Sequence, residues 1–283
     1  MKKVILSAAV IASLSAILAT SSCSKVEEEI KNTTTTAEDI TRTETYLSSV
    51  FNITTDVAAT DGRLSKTGSN LLPTGVEVEF TDSSFTDGDD VEYFVDFGAL
   101  PGKLCQDGVT RAGRVDVKQS KRFSEVGCVV EINLPVANNF HVSTTGGMTK
   151  LSGKAIITRL TANKTNFKIQ GGKAENATDG TVTFDSDKDM VTEELGAPGI
   201  VDDVFKGFGS GSGTNTKGKP YTWKTKDTMV KVEQPNCSFP IKGIIELTSE
   251  KSTYVIDFEP DGGACDKKVV ITLPNGTKVP KTF

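Results

Sequence analysis

Short stretches in which apolar and polar residues alternate fill the chain from about residue 72 onward. Alternation with a period of two places one set of side chains on each face of a β-strand. Valine, isoleucine, threonine and aromatic residues favour that structure, and Gly, Asp, Asn and Pro mark turns between the strands. The pattern predicts an all-β body over residues 66–283, either an antiparallel β-sandwich or an extended meander. The predicted strands are TGVEVEF, EYFVDFG, GRVDVK, CVVEINL, KAIITRL, GTVTF, YTWKT, MVKVEQ, GIIELT, TYVIDF and KVVITL.

A longer spacing between apolar residues precedes this body. Ile40, Leu47, Val50, Phe51 and Val57 recur near the 3.6-residue period of a helix. We therefore predict one N-terminal helix over residues 38–65. Its threonines lower the intrinsic helix propensity, so packing against the body must support it. The alternative is a loose extension of the preceding segment.

Two parts of the body share the same order of features. LPTGVEVEF followed by EYFVDFGALPGKLCQDG parallels FPIKGIIEL followed by TYVIDFEPDGGACDK. The parallel favours a duplicated hairpin unit and two similar parts, about 66–170 and 171–283, over independent convergence of two hairpins. In each unit an aspartate, Asp96 or Asp257, is predicted at a strand end, and both are candidate ligand-binding residues.

The first 22 residues have the pattern of a secretory signal. Lys2 and Lys3 precede an apolar run that ends near Ala19 and is too short to span a bilayer. Cys23 follows, so the segment resembles a bacterial lipoprotein signal with lipid attached to the Cys23 thiol. Residue 20 is threonine where leucine is common, a loosened form familiar from Bacteroidota. The alternative is a secreted protein with an unmodified cysteine.

The segment after the cysteine is polar and acidic. We interpret residues 23–37 as a flexible tether between the lipid and the folded body. Its glutamates, residues 27–29, resemble a surface-export signal, which predicts an outward-facing protein on the outer membrane. Without Lys2 and Lys3 the chain has 30 basic and 37 acidic side chains, a formal charge of −7. This balance argues against nucleic acid as a partner, since phosphates require a basic face.

Four cysteines remain after Cys23, an even number that favours disulfides in an exported protein. The candidates are Cys105, Cys128, Cys237 and Cys265. Three pairings are open, and proximity along the chain favours Cys105–Cys128 and Cys237–Cys265. A zinc site is disfavoured, because no Cys-x-x-Cys occurs and the chain has a single histidine.

Motifs for catalysis are weak. His141 is the only imidazole, and a histidine beside a strand is more often a surface or edge residue. The tract GFGSGSGTNTKG matches neither a dinucleotide-binding motif nor a phosphate loop nor a nucleophile elbow. We expect a flexible hairpin loop there.

Acidic residues occur in two clusters. Asp185, Asp187 and Asp189 alternate in DSDKD, where Met190 and Gly196 replace the glycine and glutamate of an EF-hand. The other cluster consists of Asp87, Asp89 and Asp90. Solvated turns are favoured at both places over an irregular calcium site, so no metal and no cofactor is predicted.

Two further possibilities depend on single groups. Asp96 and Asp257 would form a glycosidase pair if the duplicated hairpins met across a cleft, but one tryptophan and four tyrosines provide little stacking surface. Asp227–Met229 resembles the Asp-Ser/Thr-apolar acceptor for O-glycosylation in exported Bacteroidota proteins, which makes Thr228 a candidate.

The chain contains Cys23 and the motifs DFG…C-x-DGVTRAGRV, DDVFKGFGSGSGTNTKGKPYTW and C-x-F-P-I-x-G…Y-x-I-D-F…CD. In these residues and motifs it resembles uncharacterised Bacteroidota surface lipoproteins. The resemblance covers roughly residues 91–282 and implies an envelope location and a β-rich fold, without an activity. We expect a lipid-anchored, non-enzymatic binding, adhesion or structural module, with a glycan or an outer-membrane protein as partner. The alternatives are an accessory subunit of an outer-membrane assembly, secretion or uptake complex, and a carbohydrate-active hydrolase.

Overall fold

The structure is a computed structural model that describes residue 31 and residues 34–58 and 72–282, with internal gaps. The gaps are residues 45, 47–48, 88, 145–146, 194–203, 233–239, 251, 261, 264–265 and 267. The predicted signal, Cys23 and the acidic segment 27–29 lie outside the described residues, as do Cys237 and Cys265.

Within the described residues one helix, α1 (residues 34–58), precedes sixteen antiparallel strands that form a single open sheet. The helix begins within the segment interpreted as a tether and includes its last four residues. Residues 59–65, which end the predicted helix, lie outside the described part. The strands are β1 Glu77–Asp82, β2 Val91–Asp96, β3 Lys103–Leu104, β4 Thr110–Ala112, β5 Arg114–Gln119, β6 Val129–Leu134, β7 His141–Thr144, β8 Gly147–Arg159, β9 Lys164–Asn176, β10 Gly180–Glu193, β11 Val204–Thr214, β12 Pro220–Val232, β13 Lys242–Ser249, β14 Ser252–Asp257, β15 Lys268–Thr272 and β16 Lys278–Thr282.

The strand order follows the chain almost without interruption. The sheet runs β1-β2-β5-β6-β8-β9-β10-β11-β12-β13-β14-β15-β16, and β3, β4 and β7 form a side branch that joins at β8. Nearly every connection joins neighbouring antiparallel strands, which short turns can bridge. The all-β prediction is confirmed, and the single sheet corresponds to the extended meander.

Helix α1 is buried to an extent that its sequence does not suggest. From residue 49 to residue 58 every residue except Asp56 is buried, although this stretch contains Ser, Asn and Thr. A helix that is buried around its whole circumference needs packing partners on every side. Its residues also belong to both apolar clusters of the protein: Tyr46 to Ala58 pack with β2–β10, while Ala37 and Ile40 pack with β12–β15.

Several buried polar groups of α1 have local or distant hydrogen-bond partners, whereas the buried hydroxyls of Ser49 and Thr54 have none among the described residues. Thr41, Thr43 and Thr55 each donate from the side-chain hydroxyl to the carbonyl oxygen four residues earlier, which satisfies a buried hydroxyl within the helix. The Tyr46 hydroxyl lies 3.3 Å from that of Thr149 in β8. Burial of Thr41, Thr43 and Thr55 is therefore compatible with the helix.

One carboxylate attaches α1 to the turn between β11 and β12. Asp39 is buried and accepts hydrogen bonds from the backbone N–H of Thr216 (2.7 Å) and from its hydroxyl (3.0 Å). Burial raises the pKa of Asp39, and the two hydrogen bonds from Thr216 oppose that rise. In the same turn, the Asn215 amide donates to the Thr36 hydroxyl at 2.8 Å. The first turns of the helix are thus fixed by polar contacts.

Three strands in the middle of the sheet differ from the prediction. Residues 207–214 of the glycine tract, which was expected to be a flexible loop, lie in β11, and the turn is confined to the residues that follow this strand. DSDKD lies inside β10 rather than in a solvated turn. No strand was predicted over β9, which is 13 residues long. These segments carry small or charged residues at many positions, so they lack the apolar alternation that reveals a strand.

The two hairpins of the proposed duplication are β1–β2 and β13–β14. Their second strands agree, since Tyr93 and Tyr254 are buried and each strand ends at the expected aspartate. In their first strands, the residues that face the core have different spacings from the shared glycine. Val78 contacts the core three residues after Gly75, whereas Ile245 contacts it two residues after Gly243. A two-part division of the body stays a prediction.

Cys105 and Cys128 are buried and lie at opposite ends of the long strand β8. The Cys128 carbonyl accepts a hydrogen bond from the N–H of Arg159, at one end of β8. Cys105 lies beside β4, and β4 pairs with β7, which pairs in turn with β8 at Thr149, near its other end. Ten strand residues span about 30 Å, whereas a disulfide needs Cα atoms within about 7 Å. The favoured Cys105–Cys128 pair therefore does not fit this sheet. Disulfides to Cys237 or Cys265 stay a prediction.

Candidate functional site

The two faces of strand β11 differ, because glycines occupy one face and serines with their hydroxyls occupy the other. Gly209, Gly211 and Gly213 point towards α1, and Ser210 and Ser212 lie on the opposite face. A Cβ atom added to Gly211 would lie 2.6 Å from the Asp185 carbonyl oxygen, and one added to Gly213 would overlap the Thr183 carbonyl oxygen. The alternation thus has a steric cause on one face and leaves small polar side chains on the other.

Aromatic side chains from β12 fill the space that these glycines leave. Among side-chain atoms, Nε1 of Trp223 would lie closest to a Cβ atom added to Gly211. The Tyr221 hydroxyl would lie closest to a Cβ atom added to Gly213. Both aromatic residues are buried. Burial raises the pKa of Tyr221. The glycines therefore let the aromatic side chains of β12 approach the β11 backbone closely.

On the opposite face the small residues form the floor of a polar trough across β9–β13. We call it the outer trough; its cavity volume is about 660 Å³, within the usual range of ligand pockets. The residues that contribute polar side chains are Lys168, Gln170, Asp185, Asp187, Ser210, Ser212, Thr222, Lys224, Glu246 and Thr248.

Mutual contacts hold the charged groups at the edges of the outer trough. Asp187 accepts from the Asn166 amide at 2.7 Å, and Lys168 lies 3.7 Å away. Lys224 lies 2.8 Å from Glu246, and this hydrogen bond lowers the pKa of Glu246. These contacts pair the two signs of charge along the edges of the outer trough.

The hydroxyls of Ser210 and Ser212 have no protein hydrogen-bond partner among the described residues. Hydroxyls on the floor of the outer trough can both donate and accept hydrogen bonds. Sequence reasoning missed these residues, although the Gly-x-Gly-x-Gly spacing with serine between carries the period of a strand.

The structure does not bring Asp96 and Asp257 together. Each accepts a hydrogen bond from the backbone N–H two residues later, that of Gly98 at 2.7 Å and that of Glu259 at 2.9 Å. Nine steps between neighbouring strands separate β2 from β14, at about 4.8 Å per step. The residues on either side of each aspartate are buried, so both carboxylates lie on the face opposite to α1. Both act as turn caps.

The acidic cluster in the β1–β2 connection consists of Asp82, Asp87 and Asp89, whose carboxylate oxygens lie within 4.8 Å of one another. A hydrogen bond between Asp87 and Asp89 lowers the pKa of Asp87 and raises that of Asp89. Asp82 also caps its own turn, since it accepts from the N–H of Ser84 at 2.9 Å. The cluster is explained by turn geometry.

The other single-residue candidates lie apart from the outer trough. His141 begins β7, half-buried, and its Nδ1 atom lies 2.5 Å from the Asn139 carbonyl oxygen. Thr228 is half-buried at an irregularity of β12, where the pairing with β13 shifts register. Its O-glycosylation stays a prediction.

No helix in the described part of the chain is long and apolar enough to cross a membrane. No protein-family model, curated protein or solved structure matches this sequence or fold.

Proposed function

We propose that this protein is a lipid-anchored, non-enzymatic binding module on the outer membrane, facing outward, and that its outer trough binds a glycan. The pair of unpartnered hydroxyls, Ser210 and Ser212, on the floor of a polar trough carries this proposal. The anchor is inferred from the signal pattern that ends at Cys23.

The charge of the outer trough favours a polyhydroxylated ligand over a strongly charged one. Lys168 and Lys224 face Asp185, Asp187 and Glu246, so the two signs almost balance. A ligand with hydroxyl groups both donates and accepts hydrogen bonds, and it can therefore match lysine, carboxylate and serine at once.

A hydrolase is less compatible with the same residues. Asp185 and Asp187 are two residues apart on one strand, about 7 Å, which falls in the range of glycosidase pairs. Both are exposed, and Asp187 is hydrogen-bonded to Asn166. A general acid needs a desolvated environment that holds its proton near neutral pH. We therefore expect binding without turnover.

Replacement of both serines by alanine should weaken glycan binding at least tenfold. Each lost hydrogen bond costs about 0.5–1.5 kcal/mol, so the double variant loses roughly one to two factors of ten. The measurement is retention on a panel of host and bacterial surface glycans, followed by titration with the best-retained glycan. Ser84→Ala, which removes a hydroxyl in the β1–β2 connection, is the matched control.

Two results would contradict a glycan-binding module: no retention of any glycan by the wild type, or equal affinity in the double variant. Turnover of a retained glycan would favour the hydrolase. A stable stoichiometric protein partner in detergent extracts, with no glycan retained, would favour the accessory-subunit alternative.

Cys23→Ser should abolish incorporation of labelled fatty acid and release the protein from the membrane fraction. The expectation follows from hydrophobic insertion, which provides about 0.8 kcal/mol per buried methylene, so that two or three chains hold a protein firmly. Protease added to intact cells should degrade the wild type if it faces outward. An unlabelled wild type, or a membrane-bound Cys23→Ser variant, would disprove the anchor.

A further inference from the structure

A second cavity lies on the other face of the same strands, between α1 and the sheet. We call it the inner cleft; its cavity volume is about 90 Å³. Three phenylalanines form one wall: the Phe51 ring centroid lies 5.3 Å from that of Phe167 and 6.1 Å from that of Phe205, both edge to face. Trp223 and Met190 contribute further apolar surface.

The charged groups of the inner cleft neutralise each other. Glu44 of α1 and Lys188 of β10 form an ion pair, with side chains only 16% and 12% exposed. The Lys188 ammonium also lies 5.3 Å from the Trp223 ring centroid. A charged ligand group would have to compete with an ion pair that is already shielded from water. The arrangement therefore suits an uncharged, apolar group.

Gly207 differs from the other glycines of β11 because a side chain would fit there. A Cβ atom at Gly207 would lie 3.7 Å from the Asp189 carbonyl oxygen and 3.8 Å from Met190 Cγ, ordinary van der Waals distances. Glycine in a strand interior is destabilising, since it loses backbone entropy and packs no side chain. At Gly207 no steric contact requires glycine, so the loss of stability has no steric reason. The absence of a side chain leaves the inner cleft open.

We propose that the inner cleft binds the end of an unbranched alkyl chain that belongs to a small, soluble amphiphile. Size decides between a chain and a ring: an apolar cavity of about 150 Å³ accommodates benzene, and the inner cleft is smaller than that. Met190 and Met229 line it, and flexible thioether side chains adapt to such a ligand. This site is independent of glycan binding, because it lies on the opposite face and takes a different chemical class.

Trp223 is the only tryptophan of the chain and lines the inner cleft, so its fluorescence reports on occupancy. The probes are bromohexanol and bromohexanoate, each brominated at the chain end, because bromine quenches tryptophan on contact. The protein is the full chain with Cys23→Ser, so that neither an attached lipid nor detergent competes. We expect saturable quenching, stronger with the neutral alcohol than with the carboxylate.

Gly207→Leu should raise the half-saturating probe concentration at least tenfold and leave the protein folded. Lys206→Leu is the matched control, because it places the same side chain one residue away on the opposite face, and it should quench like the parent. If Gly207→Leu fails to fold, Gly207→Ala provides the same test with a smaller, graded weakening.

The proposal is overturned by three results. These are non-saturable quenching in the parent protein, unchanged quenching in a folded Gly207 variant, and quenching only by vesicles that contain brominated phospholipid. The last result would identify a bilayer, rather than a soluble amphiphile, as the source of the chain.

Discussion

Gly213→Ala should lower the free energy of unfolding by about 3 kcal/mol, the upper end of the range for overpacking. The added methyl group would overlap the Thr183 carbonyl oxygen on the neighbouring strand, and it would also lie 2.8 Å from the Tyr221 hydroxyl. The first of these atoms belongs to the backbone, so relief requires β10 and β11 to separate. In an isolated strand the same change would be favourable, because alanine loses less entropy than glycine.

Urea unfolding, followed by the fluorescence of Trp223, measures this change. Ser212→Ala is the matched control, since it alters the adjacent residue on the exposed face and should change stability by no more than about 0.5 kcal/mol. Equal stability of Gly213→Ala and the wild type would mean that β11 does not have the close inter-strand contacts described above.

Arg111→Ala should destabilise the protein by about 3–5 kcal/mol, as expected when one partner of a buried ion pair is removed. Arg111 is fully buried, and its guanidinium donates to Asp107 at 2.9 and 2.6 Å. It also donates to the Ser49 carbonyl oxygen of α1 at 3.2 Å. The variant leaves the Asp107 carboxylate without its main partner and removes one link between α1 and the sheet.

Thermal or urea unfolding of Arg111→Ala, Asp107→Ala and the double variant tests this account. We expect the double variant to lose less stability than the sum of the single changes, because neither charge is then left buried alone. Lys219→Ala is the control, since the pair Lys219–Glu250 is about half exposed and contributes little. A near-neutral Arg111→Ala variant would show that the buried pair does not support the helix.

The candidate site was only partly predictable from the sequence. The edges of the outer trough come from strands with recognisable alternation, such as YTWKT in β12 and GIIELT in β13. Its floor comes from β11, whose glycines gave no hydrophobic signal and were interpreted as a loop. Asp96 and Asp257, the residues chosen as ligand candidates, are turn caps on distant strands, because neither their strand order nor the face they occupy is encoded in local spacing.

The sequence by itself determined the class of fold and the identity of most strands. Alternating β-branched and aromatic residues specify which face of each strand is buried, and that information is local. The pattern around Cys23 that predicts a lipoprotein signal is local in the same way.

Only the tertiary structure decided that α1 is almost completely buried, that a tract of glycine and serine is a central strand, and which carboxylates are neighbours. These features depend on contacts between residues far apart in the chain. The glycines of β11 make room for the aromatic side chains of β12. A threonine-rich helix is stable because it packs against the sheet.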